Sequence, residues 1–346
     1  MADEPISEKK RPATLGDVAR LAGVSASTVS RALSRPDLVN EATRERITWA
    51  VSRLGYIPHG AARALAGRGH RAVGVVIPSL RFGVFAELVE TIQARLDEAG
   101  FGILLGHTGG DPEREYEQAR ALVERGVDAL VLIGNAQQPR LLRLITDVGV
   151  PVVTAFDYDE SSALPCVGVD NEAAGRCLAE HLLDQGYDEI AIITQPTLSN
   201  DRSGKRVDGV ASALRQIGRA VRPEFLIECD GLAPSARDAM GALLGGEKRP
   251  RAVVCFSDLM AIAATAECRA QGIAVPGEIA IAGFSGIGLS DMVDPPLTSV
   301  RIPAVEIGDL IAERLLAHLM DRAAVGSALV AHELLLREST GALREL

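Results

Sequence analysis

From Ala72 onward the chain alternates between short apolar segments and longer amphipathic stretches, a rhythm that few folds accommodate. Most apolar segments are followed by a stretch with helical periodicity, which predicts parallel strands joined by right-handed helical crossovers. Nine or more strands are many for a single open sheet, so we expect two α/β lobes with a ligand cleft between them. The predicted strands are AVGVVIP (72–78), FGILLGH (101–107), DALVLIG (128–134), VPVVTAF (150–156), CVGVD (166–170), EIAIIT (189–194), FLIECD (225–230), AVVCF (252–256) and IAIAGF (279–284).

Residues 14–56 have a helical pattern throughout, with a start signal at each helix. Thr14 and Asp17 fit a capping box, and Ser25 and Asn40 fit N-caps of the next two helices. Gly23 is suited to the turn between the first two helices because glycine tolerates positive φ. Helix, glycine turn and helix form the plan of a helix-turn-helix head, although an accidental small helical bundle would share this pattern.

The domain boundaries follow from changes in composition. Residues 1–12 are polar and read as a disordered leader, and residues 13–58 form the predicted head. Residues 59–71 are predicted to hold a short hinge helix and a linker, because Pro58 ends the third helix and Gly67 and Gly69 flank a flexible joint. Residues 72–346 form the predicted two-lobed core.

Charge is divided unequally between these parts. Residues 1–71 contain 12 Lys and Arg against 7 Asp and Glu, whereas the whole chain has a net charge of −10. A basic head on an acidic body suggests that the head meets a polyanion.

The second helix of the head presents small polar residues and one arginine. A helix-turn-helix inserts the N-terminal part of this helix into the major groove of DNA. Base contacts are expected from Ala26 to a thymine methyl, from Ser27 to a base edge and from Arg31 to guanine, and phosphate contacts from Thr28 and Ser30. Ser25, at the start of the helix, completes the predicted DNA-binding set in the head.

Several other classes of protein are disfavoured. Five cysteines without C-x-x-C spacing or a histidine cluster indicate reduced core thiols in a cytoplasmic protein, with no metal site and no cofactor. The polar start MADEPISEKKRP lacks the apolar segment of a secretory signal, and no apolar run is long enough for a membrane helix. GFSGIGLS (283–290) resembles a nucleophile elbow, but Ile287 stands where the second glycine belongs, so an enzyme is not expected.

The stretches LGDVARLAGVSASTVSRAL, VNEATRERI and LGYIPHGAARAL closely resemble the head of the lactose/galactose-repressor family of bacterial transcription regulators. The resemblance continues in AVGVVIPSL, CFSDLMA, GIAVPGEIAIAGF, PPLTSV and LLLREST, and so covers nearly the whole chain. It implies a core like that of periplasmic sugar-binding proteins and a homodimer on a palindromic operator in double-stranded DNA. It also implies a hinge helix at about 59–66 whose Leu65, with Ala62 beside it, wedges into the minor groove.

The resemblance further implies a regulator, most often a repressor, controlled by a small sugar or related effector in the cleft. The residues implied to bind this effector are Ser79, Phe82, Phe85, His107, Asp157, Arg206, Asp258 and Ser285. Alternative roles stay open: Phe82, Phe85, His107 and Asp157 as core or surface groups, and Asp258 as a helix N-cap.

Two departures from the family pattern bear on the effector. Ser257 stands in place of an asparagine, and Ser285 in place of an aspartate that accepts sugar hydroxyls elsewhere in the family. Loss of a carboxylate beside Arg206, with Lys205 adjacent, favours an anionic ligand. We therefore expect a sugar acid, and IPSLRFGVFAE with Ser285-Gly286 most resembles the gluconate-repressor branch. The alternative is a periplasmic-type sugar-binding protein without a regulatory role, which leaves the head unexplained.

Overall fold

The computed structural model describes residues 11–35, 38–57 and 70–341. The chain divides into two compact units, one ending at His70 and one beginning at Arg71. Most of the predicted leader and hinge, with Ala62 and Leu65, lies outside the described residues. Among the described residues, every helix is too short or too polar to span a lipid bilayer.

Within its described residues, the first unit contains three helices with the predicted starts: α1 (Leu15–Ala22), α2 (Ala26–Ser34) and α3 (Glu41–Leu54). Thr14 forms a capping box with Asp17, and the side chains of Ser25 and Asn40 each accept a backbone N–H of the following helix. Gly23 ends α1 in the left-handed region at φ 64°. These caps satisfy backbone donors that the first turn of a helix leaves without partners.

The three helices of the first unit enclose a small apolar core. Its largest members are Val18 from α1, Val29 from α2 and Ile47 from α3, with Tyr56 just beyond α3. The core lies on one side of α2, and the opposite side of that helix is exposed. One face of α2 therefore packs on the core and the other faces solvent.

The second unit contains two six-stranded sheets, and all nine predicted strands are present. The first sheet has the order β11-β5-β4-β3-β1-β2, and the second has the order β12-β10-β9-β8-β6-β7. The strands are β1 (Ala72–Ile77), β2 (Gly102–His107), β3 (Ala129–Ile133), β4 (Val152–Asp157), β5 (Cys166–Val169), β6 (Ile190–Thr194), β7 (Leu226–Glu228), β8 (Ala252–Cys255), β9 (Ala280–Ser285), β10 (Thr298–Arg301), β11 (Ala328–Leu329) and β12 (Glu333–Leu335).

Helices connect the strands, as the alternating pattern predicts. They are α4 (Gly83–Glu98), α5 (Pro112–Glu124), α6 (Pro139–Val148), α7 (Asn171–Asp184), α8 (Asp201–Gln216), α9 (Ala233–Gly245), α10 (Asp258–Ala270) and α11 (Ala304–Asp321). We call the elements around the first sheet the first lobe and those around the second sheet the second lobe. The pairing is parallel in both sheets except between β10 and β12.

The sequence pattern missed β10, β11 and β12, and these strands show how the lobes are connected. After β10 in the second lobe, α11 packs against α4 of the first lobe and β11 pairs with β5. The chain then returns to the second lobe, where β12 pairs with β10. The missed strands read TSVR, AL and ELL, so they lack the longer apolar runs in which the nine predicted strands lie.

Candidate DNA-binding surface and ligand cavity

The predicted DNA-binding residues of the head share the exposed side of α2. Ala26, Ser27, Ser30 and Arg31 are exposed, and Thr28 is half-buried. Ala and Ser project little, so this side of the helix can approach a neighbouring surface closely. An exposed guanidinium among them offers paired donors to an acceptor such as a guanine edge or a phosphate.

Ser25 has a structural function in the same helix. Its hydroxyl accepts the backbone N–H of Thr28 at 3.1 Å and contacts the hydroxyls of Ser27 at 2.8 Å and Thr28 at 2.7 Å. The hydroxyls at the start of α2 therefore form a connected group whose orientation is fixed by the cap. Such a group is suited to hydrogen bonding with phosphate oxygens at a helix N-terminus.

The second unit contains two neighbouring cavities between its lobes. The larger has a volume of about 240 Å³ and the smaller about 50 Å³. Phe85 of α4, Arg202 of α8 and the loop residues Gln195 and Asn200 line both cavities, which therefore meet at these four side chains. Because a void of about 10–15 Å³ holds one water, the smaller cavity has room for one small polar group and the larger for the rest of a ligand.

Arg206 of α8 lines the smaller cavity. Its Nε donates to Asn171 Oδ1 at 2.8 Å, its Nη1 donates to the carbonyl oxygen of Phe256 at 3.3 Å, and its guanidinium stacks on the Phe284 ring at 3.7 Å. Burial, with the nearby charge of Arg202, lowers the pKa of Arg206 to about 9, so it remains protonated at neutral pH. Both hydrogen-bond acceptors are neutral, so the cation keeps the capacity to bind an anion in the cavity.

Arg202, one turn before Arg206, is a second buried cation on the same face of α8. It is ion-paired with Asp201 at 3.3 Å. The backbone of Gly134 in the first lobe lies so close that a Cβ there would come within 2.1 Å of Arg202 Nη1. Gly134 has no side chain and tolerates its φ of +76°. The backbone of the first lobe can therefore pack closely against Arg202.

Aromatic rings form the apolar wall of the smaller cavity. Phe82 and Phe85 meet edge to face at 6.2 Å, and Phe85 meets Phe156 of β4 at 5.4 Å. Both predicted phenylalanines line this cavity, although Phe85 is also part of the core. Such a wall excludes water and strengthens polar interactions inside the cavity.

Ser257 and Ser285, at the two positions that depart from the family pattern, both line the smaller cavity. Ser257 is the N-cap of α10, and its hydroxyl accepts the backbone N–H of Met260 at 3.2 Å. Ser285 ends β9 with φ at 114°, a conformation that side chains rarely adopt. The structure therefore brings together four predicted effector residues, Phe82, Phe85, Arg206 and Ser285.

Asp157 does not line either cavity. Its carboxylate is fully buried and accepts from Lys205 Nζ at 2.7 Å and from the side-chain amides of Asn135 and Asn171 at 2.9 Å each. Lys205 also binds Asp159 at 3.0 Å, so its charge is neutralised by carboxylates rather than offered to a ligand. Asp157 acts on the cavity indirectly, because the Asn171 amide that it holds accepts the hydrogen bond of Arg206.

Asp258 is also occupied by protein groups. It is the first residue of α10, after the N-cap Ser257, and its carboxylate accepts from Ser290 Oγ at 2.7 Å, Ser299 Oγ at 2.6 Å and the Ile287 backbone N–H at 2.8 Å. A Cβ at residue 283 would lie 2.2 Å from its Oδ1, so Gly283 makes room for it. The structure thus gives Asp258 neither the N-cap position nor a place in the cavity lining, because three partners from 29 to 41 residues away hold it inside the second lobe.

Two further predicted effector residues lie apart from the cavities. His107 is exposed at the end of β2, and its neighbour Thr108 lines the larger cavity instead. Ser79 is half-buried, and its hydroxyl accepts the backbone N–H of Arg81 at 3.1 Å within its own loop. His107 ends β2 and Ser79 follows β1, so both lie at the carboxyl edge of the first sheet. Side-chain direction alternates along a strand, so neighbouring residues face different surroundings.

Sequence reasoning missed several cavity residues. Arg202 could have been found, since it lies four residues before Arg206 in a predicted helix. Gln195 and Asn200 lie in the loop between β6 and α8, and Glu115 lies far from that loop in sequence, on α5, so none of the three has such a signal. Only the folded chain places them on one wall.

The chain matches two protein families. Residues 14–59 match the family described as bacterial regulatory proteins of the lacI family. Residues 70–337 match the family described as periplasmic binding proteins and sugar binding domain of the LacI family. Together the two matches cover the head and most of the core.

Curated relatives extend over nearly the full length. The HTH-type transcriptional repressor CytR of Escherichia coli K12 is 32% identical over 344 residues, covering 97% of this chain and 98% of the relative. The HTH-type transcriptional regulator GntR of the same strain is 34% identical over 312 residues, covering 90% and 93%.

Solved structures agree with these matches. A LacI-family transcriptional regulator from Silicibacter pomeroyi has a TM-score of 0.87 at 27% identity, covering 95% of this chain and 100% of that one. The lac repressor dimer bound to operator and the anti-inducer ONPF has a TM-score of 0.83 at 26% identity, covering 96% and 100%.

Proposed function

This chain belongs to the LacI family of bacterial regulatory proteins, and from that premise we propose that it is a dimeric repressor whose hold on a palindromic operator is controlled by a sugar acid. It is a DNA-binding transcription regulator and not an enzyme. Because its DNA partner is the chromosome, it acts in the cytoplasm. A dimer matches the two-fold symmetry of a palindromic operator, because each head binds one half-site.

The α2 face supports the proposed role in DNA reading. Ala26, Ser27 and Arg31 are proposed to contact bases, and Ser25, Thr28 and Ser30 to contact phosphates. Ala62 and Leu65 are proposed as the minor-groove wedge. The basic charge of the head adds attraction that does not depend on sequence.

The observation that carries the sugar-acid proposal is the surroundings of Arg206. Its hydrogen bonds go to an amide oxygen and a backbone carbonyl, so a buried positive charge faces the smaller cavity without a carboxylate bound to it in the described part of the chain. Burying a charge is costly unless an opposite charge joins it, and an effector carboxylate would do so. The effector's hydroxyl chain would then extend into the larger cavity past Gln195, Asn200 and Arg202.

Gluconate is the member of this class that we favour, as its carboxylate and polyol chain suit the two connected cavities. The experiment is a thermal-shift comparison of D-gluconate with D-glucitol, which keeps the polyol chain and lacks the carboxylate. Stronger stabilisation by D-gluconate is expected. Equal or stronger stabilisation by D-glucitol would contradict the sugar-acid proposal without affecting the assignment to the family.

Arg31→Ala is expected to weaken operator binding by about 1–3 kcal/mol and to relax the preference at one base position. The physical reason is the loss of paired hydrogen bonds to a base edge. The measurement is fluorescence anisotropy on a palindromic duplex selected from a random pool, with single-base variants of that duplex. Arg53→Ala, which removes an exposed charge from α3, is the matched control and should weaken all sequences alike. Unchanged base preference in the Arg31 variant would reject its role in reading.

Trp49 provides an intrinsic reporter for the head because it is the only tryptophan of the chain. It lies on α3 and is 58% exposed. Operator DNA is therefore expected to change its emission more than D-gluconate does. The measurement is emission at fixed protein concentration, titrated with effector first and with operator second. A large change on adding effector alone would show that the head responds directly to the state of the core.

A further inference from the structure

Glu115 contributes a carboxyl group to the lining of the larger cavity. It lies on α5 in the first lobe, half-buried, and lines the cavity opposite Arg202 and Asp201 of α8. Its side chain makes no hydrogen bond or ion pair with the described residues. Keeping a desolvated carboxyl ionised without a partner costs free energy. The surroundings of Glu115 therefore determine whether it is neutral or ionised.

The charged groups around Glu115 are mostly of its own sign. Asp111, Asp201 and Asp230 line the same cavity, against one cation, Arg202. Arg202 is itself ion-paired with Asp201, so its charge is already partly balanced. On the packed helix α6, Arg140 binds Glu113 and stacks on Tyr116 at 4.2 Å, and it does not line the cavity.

These surroundings disfavour the ionised form of Glu115. Burial raises the pKa of Glu115 from 4.5 to about 7, Asp201 acts in the same direction, and Arg202 opposes them. The neutral acid differs from the carboxylates around it in one chemical respect, since it can donate a hydrogen bond as well as accept one.

We propose that Glu115 is a specificity-determining residue of the cavity, which binds the effector by donating a hydrogen bond from its neutral carboxyl to a hydroxyl oxygen of the effector. The proposal rests on the proposed function, because it takes this cavity as the effector site. It gives the effector an orientation, with its acid group at Arg206 and its hydroxyl chain at Glu115. Arg206 and Glu115 thus recognise opposite ends of one molecule.

Effector affinity is then expected to fall as pH rises, because deprotonation removes the donor and places a negative charge beside the ligand. With a pKa of about 7, the neutral fraction is full near pH 6 and is reduced about ten-fold at pH 8. Binding of D-gluconate should weaken by about that factor across the interval. D-gluconate remains ionised throughout, so its own charge does not change.

The experiment is calorimetric titration of the full chain with D-gluconate and with D-glucitol at pH 6, 7 and 8. Glu115→Gln keeps a neutral donor and should bind within about three-fold of the wild type at pH 6, with no pH dependence up to pH 8. Glu115→Ala should bind weakly at every pH. Glu117→Gln, an exposed position on the same helix, is the matched control and should follow the wild-type profile.

Comparing D-gluconate with D-glucitol separates the proposal for Glu115 from the sugar-acid proposal. The pH dependence should appear with both compounds, since both carry the hydroxyl chain, whereas only the sugar-acid proposal requires D-gluconate to bind more tightly. A Glu115→Gln variant with the wild-type pH profile, or one as weak as Glu115→Ala at pH 6, would overturn the role of Glu115. Binding of neither compound would reject the effector class.

A second measurement needs no effector and tests whether Glu115 is neutral in the folded protein, as the proposal requires. Thermal unfolding of the wild type and of Glu115→Gln is compared from pH 4.5 to pH 8. Because folding raises the pKa of Glu115, the wild type should lose stability relative to the variant as pH rises from about 4.5 to about 7, and the deficit should stay constant above that. A difference that does not change with pH would overturn the proposal.

Discussion

Asp258→Ala is expected to lower the free energy of unfolding of the core by about 3 kcal/mol or more. The substitution leaves the hydroxyls of Ser290 and Ser299 and the N–H of Ile287 without their acceptor inside the second lobe. Each unsatisfied buried group costs about 1–3 kcal/mol. The measurement is urea denaturation followed by circular dichroism, since the only tryptophan lies in the head and does not report on the core.

Asp258→Asn is the control for this prediction. An asparagine can accept from Ile287 and Ser290 with its oxygen and donate to Ser299, whose hydroxyl accepts as readily as it donates. Burial raises the pKa of Asp258, so the neutral amide also removes the cost of a buried charge. The asparagine variant should therefore retain most of the stability that the alanine variant loses. Equal stability of the alanine variant and the wild type would show that the carboxylate is not a structural centre of the lobe.

Arg206→Met is expected to raise the dissociation constant for D-gluconate by about ten- to hundred-fold. A hydrogen bond between charged groups is worth about 1.5–3 kcal/mol, and each 1.4 kcal/mol corresponds to a factor of ten. Methionine keeps an apolar side chain against Phe284 and removes the charge. The measurement is calorimetric titration, together with release of labelled operator on adding D-gluconate.

D-glucitol and a second variant at residue 206 distinguish the effect of the guanidinium charge from the effect of side-chain shape. D-glucitol has no carboxylate, so its affinity should change much less in Arg206→Met. Arg206→Lys keeps the charge without the forked donors that reach Asn171 and Phe256, and should fall between the wild type and the methionine variant. A loss of affinity that is the same for both ligands would indicate damage to the cavity rather than loss of carboxylate recognition.

The residues predicted to bind the effector show how far a sequence indicates the lining of a cavity. Arg206 and Ser285 follow from a motif resemblance, and the structure places both at the smaller cavity. Asp157 and His107 follow from the same resemblance, yet one is buried under Lys205 and the other is exposed away from the cavity. A motif indicates which strand end a residue occupies. The direction of its side chain, and the hydrogen bonds and ion pairs that it makes with nearby residues, depend on the folded lobe.

Local features were determined by the sequence alone. The order of helices and nine of the strands, the capping box of Thr14 and Asp17, and the N-caps at Ser25 and Asn40 all depend on residues within a few positions of one another. Short-range signals of this kind act whatever the rest of the chain does, because a cap or an apolar period involves a single element.

Only the tertiary structure decided which residues, distant in sequence, bind each buried charged group. Asp157 meets Lys205 from 48 residues away, and Asp258 meets Ser299 from 41 residues away, so neither carboxylate is left for a ligand. Within the part of the chain that the structure describes, the hydrogen bonds of Arg206 go to neutral acceptors, and the Glu115 side chain makes no hydrogen bond. The physical reason is that a buried charge must be compensated by whatever the fold brings beside it, and that neighbour is set by the packing of two lobes rather than by spacing along the chain.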